Sequence, residues 1–258
     1  IAPSFYKSDI LDLFTLHGAP ATYNKATGAM GGLMWKQKVA KGKPYFAASA
    51  SYVAPKADDG NPNAGGLMTD ASGGSFTTQI GVASAQWALA AAWRYGQCGE
   101  NMTRRGTQFA RQSLDCSWTV GNQANEGGAA YTNSVALTAA WQPKKGGTWI
   151  PSVSAGWGIS AITQADYDAD PAYGNKDNIT QTQSWQVGLQ WADAFVKGNV
   201  AGMAVGQPTF VTALKNDNCN AADGCGAPND GNYAWEWWYR FQVTDNISIT
   251  PALFYLSR

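Results

Sequence analysis

The residue types that most often carry chemistry are few in this chain and far apart. Four cysteines, Cys98, Cys116, Cys219 and Cys225, fall as two pairs in polar stretches, and the single histidine, His17, lies near the N-terminus. Two remote cysteine pairs and one histidine lack the short ligand spacings of a zinc site. Local disulfides, Cys98 with Cys116 and Cys219 with Cys225, are the economical pairing among three connectivities, and they imply passage through an oxidising compartment. His17 has no serine or cysteine motif to serve as base. Asp166, Asp168, Asp170 and Asp177 follow the spacing of a calcium loop, but Pro171 stands where its sharp turn needs glycine, so they read as a solvated acidic loop. Glutamate is scarce, and no acid pair marks a glycosidase cleft. The reading is of a protein that is not an enzyme and holds no metal or cofactor.

The remaining candidates are charged residues that depend on a scaffold to bring them together. Lys36, Lys38, Arg94, Glu236 and Arg240 fall within candidate strand segments, Arg258 directly follows the last of them, and Arg104, Arg105 and Arg111 lie in the stretch between Cys98 and Cys116. That scaffold is constrained by composition. The 258 residues carry 18 basic and 18 acidic side chains, so the basic excess of a nucleic-acid binder is missing. Charged residues make up 14% of the chain, against roughly 25% in an average soluble domain, while Gly reaches 29 copies and Trp 12. Mean hydropathy is nevertheless −0.29, and no uncharged apolar run approaches the ~18 residues of a membrane-spanning helix.

Periodicity supplies the element type. Trp87, Leu89, Ala91, Trp93 and Tyr95 alternate with smaller or polar residues, as do Val135, Leu137, Ala139 and Trp141. The same period of two runs through Trp149 to Ile159, Trp185 to Trp191 and Tyr233 to Val243. Less regular strands are expected at 28–40, 43–54, 75–83, 199–206, 209–214 and 246–257. About eleven strands result, several of ~10 residues, the length that a tilted strand needs to cross a bilayer.

Such alternation fits either a soluble sandwich, whose apolar side faces a core, or a transmembrane barrel, whose apolar side faces lipid. The polar positions distinguish them. They carry Ser, Gly, Ala, Gln and Thr rather than the Lys and Glu of a water-facing sheet, and small neutral residues suit a lumen wall. Tyr95, Trp141, Trp149, Trp185, Trp191 and Tyr233 stand near strand ends, where aromatic girdles meet the two membrane interfaces. Short connections at 143–147 and 192–198 alternate with long polar ones at 96–130, 162–182 and 215–232, the rhythm of periplasmic turns and external loops. The fold class read from the sequence is all-β, an antiparallel transmembrane β-barrel. A soluble, secreted, glycan-binding β-sandwich is the alternative.

Residues 187–208 and 239–251 add a resemblance. The first run, with Asp193, Phe195, Lys197 and Gly198 in its turn, resembles the turn-and-strand signature of cyanobacterial major outer-membrane porins, and the second resembles their penultimate hairpin. These porins belong to the carbohydrate-selective porin (OprB-like) family. The resemblance implies a 16-stranded barrel in the outer membrane, set among its lipid and lipopolysaccharide, often a homotrimer, and tied to peptidoglycan by an N-terminal domain. Against that pattern residues 1–258 are expected to be a single barrel domain, incomplete at both ends.

If alternation sets the faces, Lys36, Lys38, Arg94, Glu236, Arg240 and Arg258 line the pore, and five of those six are basic. With Arg104, Arg105 and Arg111 they would form a positive constriction favouring anions. Equally, the loop arginines could face solvent or bind lipopolysaccharide phosphates. Most tryptophans point outward, whereas Trp238 and Phe254 share the inward face with Glu236 and Arg240. The expected function is passive diffusion of small hydrophilic solutes, with inorganic ions ranked ahead of carbohydrates.

Overall fold

The computed structural model describes residues 28–40, 42–97, 107, 110, 119–120, 123–124, 131–145, 147, 149–163, 178–215 and 231–257. Among them, eleven strands form one antiparallel sheet. In chain order these are β1 (Ala29–Lys36), β2 (Tyr45–Ala54), β3 (Ser75–Ala83), β4 (Trp87–Gln97), β7 (Tyr131–Trp141), β8 (Ser152–Thr163), β9 (Asn178–Ala192), β10 (Val200–Lys215), β11 (Ala234–Thr244), β12 (Ile247–Ile249) and β13 (Ala252–Leu256). A separate ribbon of two-residue strands, β5 (Thr119–Val120) and β6 (Gln123–Ala124), lies between β4 and β7 in the chain. From β1 to β11 each strand of the sheet pairs with the next, and β12 and β13 both pair with β11. Among the described residues β1 and β13 do not pair with each other, so the sheet stays open there.

About eleven strands are expected and eleven form the sheet, yet three of the expected segments are divided differently. The stretches 199–206 and 209–214 are one strand, β10, because the ladder shifts register between Gln207 and Phe210 and so passes Pro208, which has no N–H to donate. Conversely 246–257 is two strands, interrupted at Thr250–Pro251, where the Pro251 carbonyl accepts from Tyr239 N–H at 3.1 Å. Trp149, expected in a strand, lies in the turn before β8, and Lys38 lies in the turn after β1.

The alternation produces two unlike faces. Along β4, Ala88, Ala90, Ala92 and Arg94 are buried, while Trp87, Leu89 and Trp93 are exposed. The same holds for β7, where Thr132, Ser134, Ala136 and Thr138 are buried and Tyr131, Val135, Leu137 and Trp141 are exposed. A packed sandwich has the opposite sign, with its large apolar residues sheltered. A single sheet can hide its polar side only by curling round it and bringing other chain into the hollow, and one such contribution is visible. Thr107 N–H donates to the Thr209 carbonyl at 2.8 Å, and Ala110 packs fully buried with Ile162, Ile179 and Val211. Thr107 and Ala110, from the connection between β4 and β7, thus sit on β8, β9 and β10.

On β7 the exposed Tyr131 and Trp141 are ten residue steps apart. At about 3.4 Å per step and a tilt of about 40°, their rings stand roughly 26 Å apart in height, matching the ~25 Å apolar band of an outer-membrane barrel. Polar atoms on this face find partners within it. Trp157 Nε1 donates to Gln183 Oε1 at 3.3 Å, and Trp185 Nε1 donates to Gln207 Oε1 at 2.6 Å.

Candidate channel lining

Register assembles the inner wall row by row. One row reads Ser51, Thr77, Arg94, Ser134, Ser160 and Thr182 across six adjacent strands. All but one of these are hydroxyls, and Ser134 and Ser160 share a 2.8 Å hydrogen bond. Arg94, only 1% exposed, sits between Thr77 and Ser134. Hydroxyl side chains suit such a wall because each can donate and accept, and so can exchange protein partners for water or solute.

Two rows further along, Gln186 stands between Gly156 and Gly206, and in the row after that Glu236 stands between Ala204 and Phe254. Glu236 is 3% exposed, and its Oε2 has no hydrogen-bond partner in the protein. Gln79 Oε1, Ser184 Oγ and Gln186 Oε1 share that condition. A buried acceptor without a partner is costly, so four of them on one face mark a wall built to meet something other than protein.

Trp238 belongs to the same wall, two residues from Glu236 and paired with Gly202. A Cβ at Gly202 would run into the Trp238 ring, so the glycine lets the indole lie against the backbone of β10. The result is an aromatic surface with a carboxylate on one side along β11 and Arg240 on the other.

The candidate residues are distributed as follows. Lys36 pairs with Ala47 on the inner face at the short-turn end, its Nζ 4.2 Å from the Tyr45 ring centre. Arg94, Glu236 and Arg240 are on the inner face, and Phe254 lies opposite Glu236. Lys38 is not on the wall, because β1 ends at Lys36 and the chain has already turned. Arg104, Arg105, Arg111, Arg258, the four cysteines, His17 and the aspartates from Asp166 to Asp177 lie outside the described residues. Sequence reasoning favoured charge and so passed over Gln79, Ser184 and Gln186. Their signal was available, since each occupies an inward position of the period-two pattern.

The family described as Carbohydrate-selective porin, OprB family, matches residues 16–258. An uncharacterized protein of Nostoc sp. is 26% identical over 210 residues, covering 81% of this chain and 32% of its own length. An uncharacterized protein of Synechocystis sp. is 34% identical over 107 residues, covering 38% of this chain and 18% of its own. The chain therefore spans about a third or less of the curated relatives it matches. No solved structure matches it.

Proposed function

Because the chain belongs to the carbohydrate-selective porin family, OprB, an outer-membrane family, we propose that it forms the wall of a water-filled channel through which small hydrophilic solutes diffuse passively. The observation that carries this reading is the inverted sheet, with small and polar residues sheltered and large apolar residues such as Phe46, Ile80, Leu89, Leu137, Trp157, Val187 and Trp237 exposed on β2, β3, β4, β7, β8, β9 and β11. That arrangement is unfavourable in water and favourable in lipid, which speaks against the glycan-binding sandwich.

The wall favours sugars more than the sequence reading did. Trp238, on the inner face and 6% exposed, is an aromatic ring of the kind that stacks on sugar rings, and Glu236 and the hydroxyl row hold acceptors and donors suited to sugar hydroxyl groups. Among the described inner-face charges, Lys36, Arg94 and Arg240 outnumber Glu236, so inorganic anions are expected to pass more readily than cations. Thr107 and Ala110 fix the β4–β7 connection to the inner wall, and the arginines close to them in sequence, Arg104, Arg105 and Arg111, are proposed to narrow the channel. Assembly as a homotrimer and attachment to peptidoglycan through a further domain belong to the same proposal.

The test is conductance of the protein in planar bilayers. Stepwise openings are expected, with partial block by added glucose oligomers. Trp238→Ala should weaken that block roughly two- to tenfold, the range of one aromatic contact. In a salt gradient the reversal potential should favour the anion, and Arg94→Ala with Arg240→Ala should remove that bias. A protein that never opens a conductance under these conditions would refute the reading.

A further inference from the structure

The net charge of zero conceals a segregation along the barrel axis. The five short connections, 37–44, 84–86, 142–151, 193–199 and 245–246, contain six lysines, Lys38, Lys41, Lys43, Lys144, Lys145 and Lys197, against two aspartates. The four long connections, 55–74, 98–130, 164–177 and 216–233, contain thirteen acidic residues against five basic ones. By sequence, the short connections are basic and the long ones acidic.

Two of the short turns are also joined into one surface. Gly147 N–H donates to the Ala192 carbonyl and Trp191 Nε1 to the Trp149 carbonyl, both at 3.0 Å. From that surface Trp149 projects at 92% exposure and Phe195 at 90%, beside the exposed Ile150 and Val196. Phe195 holds φ at +59°, a left-handed conformation that turns usually assign to Gly or Asn. One edge of the Phe195 ring lies near Tyr239, 6.2 Å between ring centres, and the rest of it faces outward from the turn. Asp193, the acid of this turn, accepts the Gly198 N–H at 2.8 Å and so is held within it. Lys144, Lys145 and Lys197 remain exposed around the aromatic prongs.

From this combination we infer that the short-turn rim is a binding surface for anionic phospholipid headgroups of the leaflet that surrounds it. The aromatic rings would sit at headgroup depth, where amphipathic and aromatic side chains are favoured, and the lysines would meet the phosphates. Charge complementarity selects this occupant, since a neutral lipid would use the rings alone and leave the lysines without a role. The inference rests on the barrel reading, in which the short turns lie at the periplasmic membrane surface.

The experiment uses the full chain incorporated into phosphatidylcholine bilayers that carry a trace of spin-labelled phosphatidylglycerol or spin-labelled phosphatidylcholine. At low salt, the motionally restricted fraction should favour the phosphatidylglycerol label by about fivefold or more, the effect of one lysine near a membrane surface. The triple variant Lys144→Gln, Lys145→Gln, Lys197→Gln should lose that preference while keeping its conductance, as should the unmodified chain at high salt. Phe195→Gly, which relieves the left-handed strain, should keep the charge preference and restrict both labels less. Equal restriction of the two labels, or a preference unchanged in the triple variant, overturns the inference. So does lysine-dependent sedimentation with isolated peptidoglycan in the absence of a label preference, which would assign the rim to the cell wall. Failure of the chain to enter the bilayer at all would instead defeat the barrel reading.

Discussion

The two faces of this sheet are made by the same strands yet obey different rules. The outer face tolerates any apolar residue of suitable size, including Trp157 and Trp185 in the same mid-strand row as Leu137, and its demands are collective: no charge, and polar atoms paired internally as in Trp185 with Gln207. The inner face is particular. Arg94 lies between two hydroxyl residues, and Trp238 requires that position 202 lack a side chain. The difference teaches that solvent alone specifies the lipid side, whereas individual neighbours specify the channel side.

The largest expected effect comes from giving both faces the same insult. Leu137→Arg places a charge on the lipid side near the middle of β7, where it should cost about 2–4 kcal/mol of folding stability in bilayers. Thr138→Arg, one residue along and facing inward, should cost clearly less and should instead alter conductance and ion bias. Reversible urea unfolding in lipid vesicles measures the first contrast, and single-channel recording the second. Equal stability losses from the two substitutions would erase the distinction between the faces.

A smaller effect sharpens the claim about neighbours. Gly202→Ala adds one carbon where the Trp238 ring lies, so the indole must swing away from β10 or the strands must part, at about 1–3 kcal/mol. Gly202→Ala combined with Trp238→Ala should recover most of that loss. On the outer face Ala48→Gly or Ala91→Gly, equally small changes, should cost only the strand preference of glycine, roughly 0.5–1 kcal/mol, with nothing for a partner to rescue.

The faces also differ in how readable they were. Alternation placed the strand-borne tryptophans such as Trp87 and Trp141 correctly, because lipid imposes one requirement at every second residue and leaves a pattern on the primary structure. It failed where local backbone chemistry overrides period two. Pro208 is absorbed by a register shift, Pro251 ends a strand, Trp149 falls in a turn, and Lys38 comes after β1 has ended. The wall was legible in outline only. Arg94, Glu236 and Arg240 stand out by charge, but Gln79, Ser184 and Gln186 gain their meaning from lacking protein partners, which depends on residues several strands away. The pairing of Gly202 with Trp238 depends on register between β10 and β11, which no short-range pattern encodes.

The smallest effect tests whether hydrogen bonds on the two faces have equal weight. Gln207→Leu leaves the Trp185 indole N–H without its 2.6 Å acceptor in a medium that offers no water in exchange. Side-chain hydrogen bonds within membranes average about 0.6 kcal/mol in double-mutant cycles, so a cycle of Gln207→Leu with Trp185→Phe should return a coupling of that order. On the inner face a cycle of Ser134→Ala with Ser160→Ala breaks the 2.8 Å hydroxyl pair. If the wall is wetted, water replaces the missing partner in each single variant, and the coupling should be smaller than on the lipid side. A larger coupling for Ser134 with Ser160 would mean that this stretch of wall is dry, and the conducting path would have to run elsewhere along the inner face.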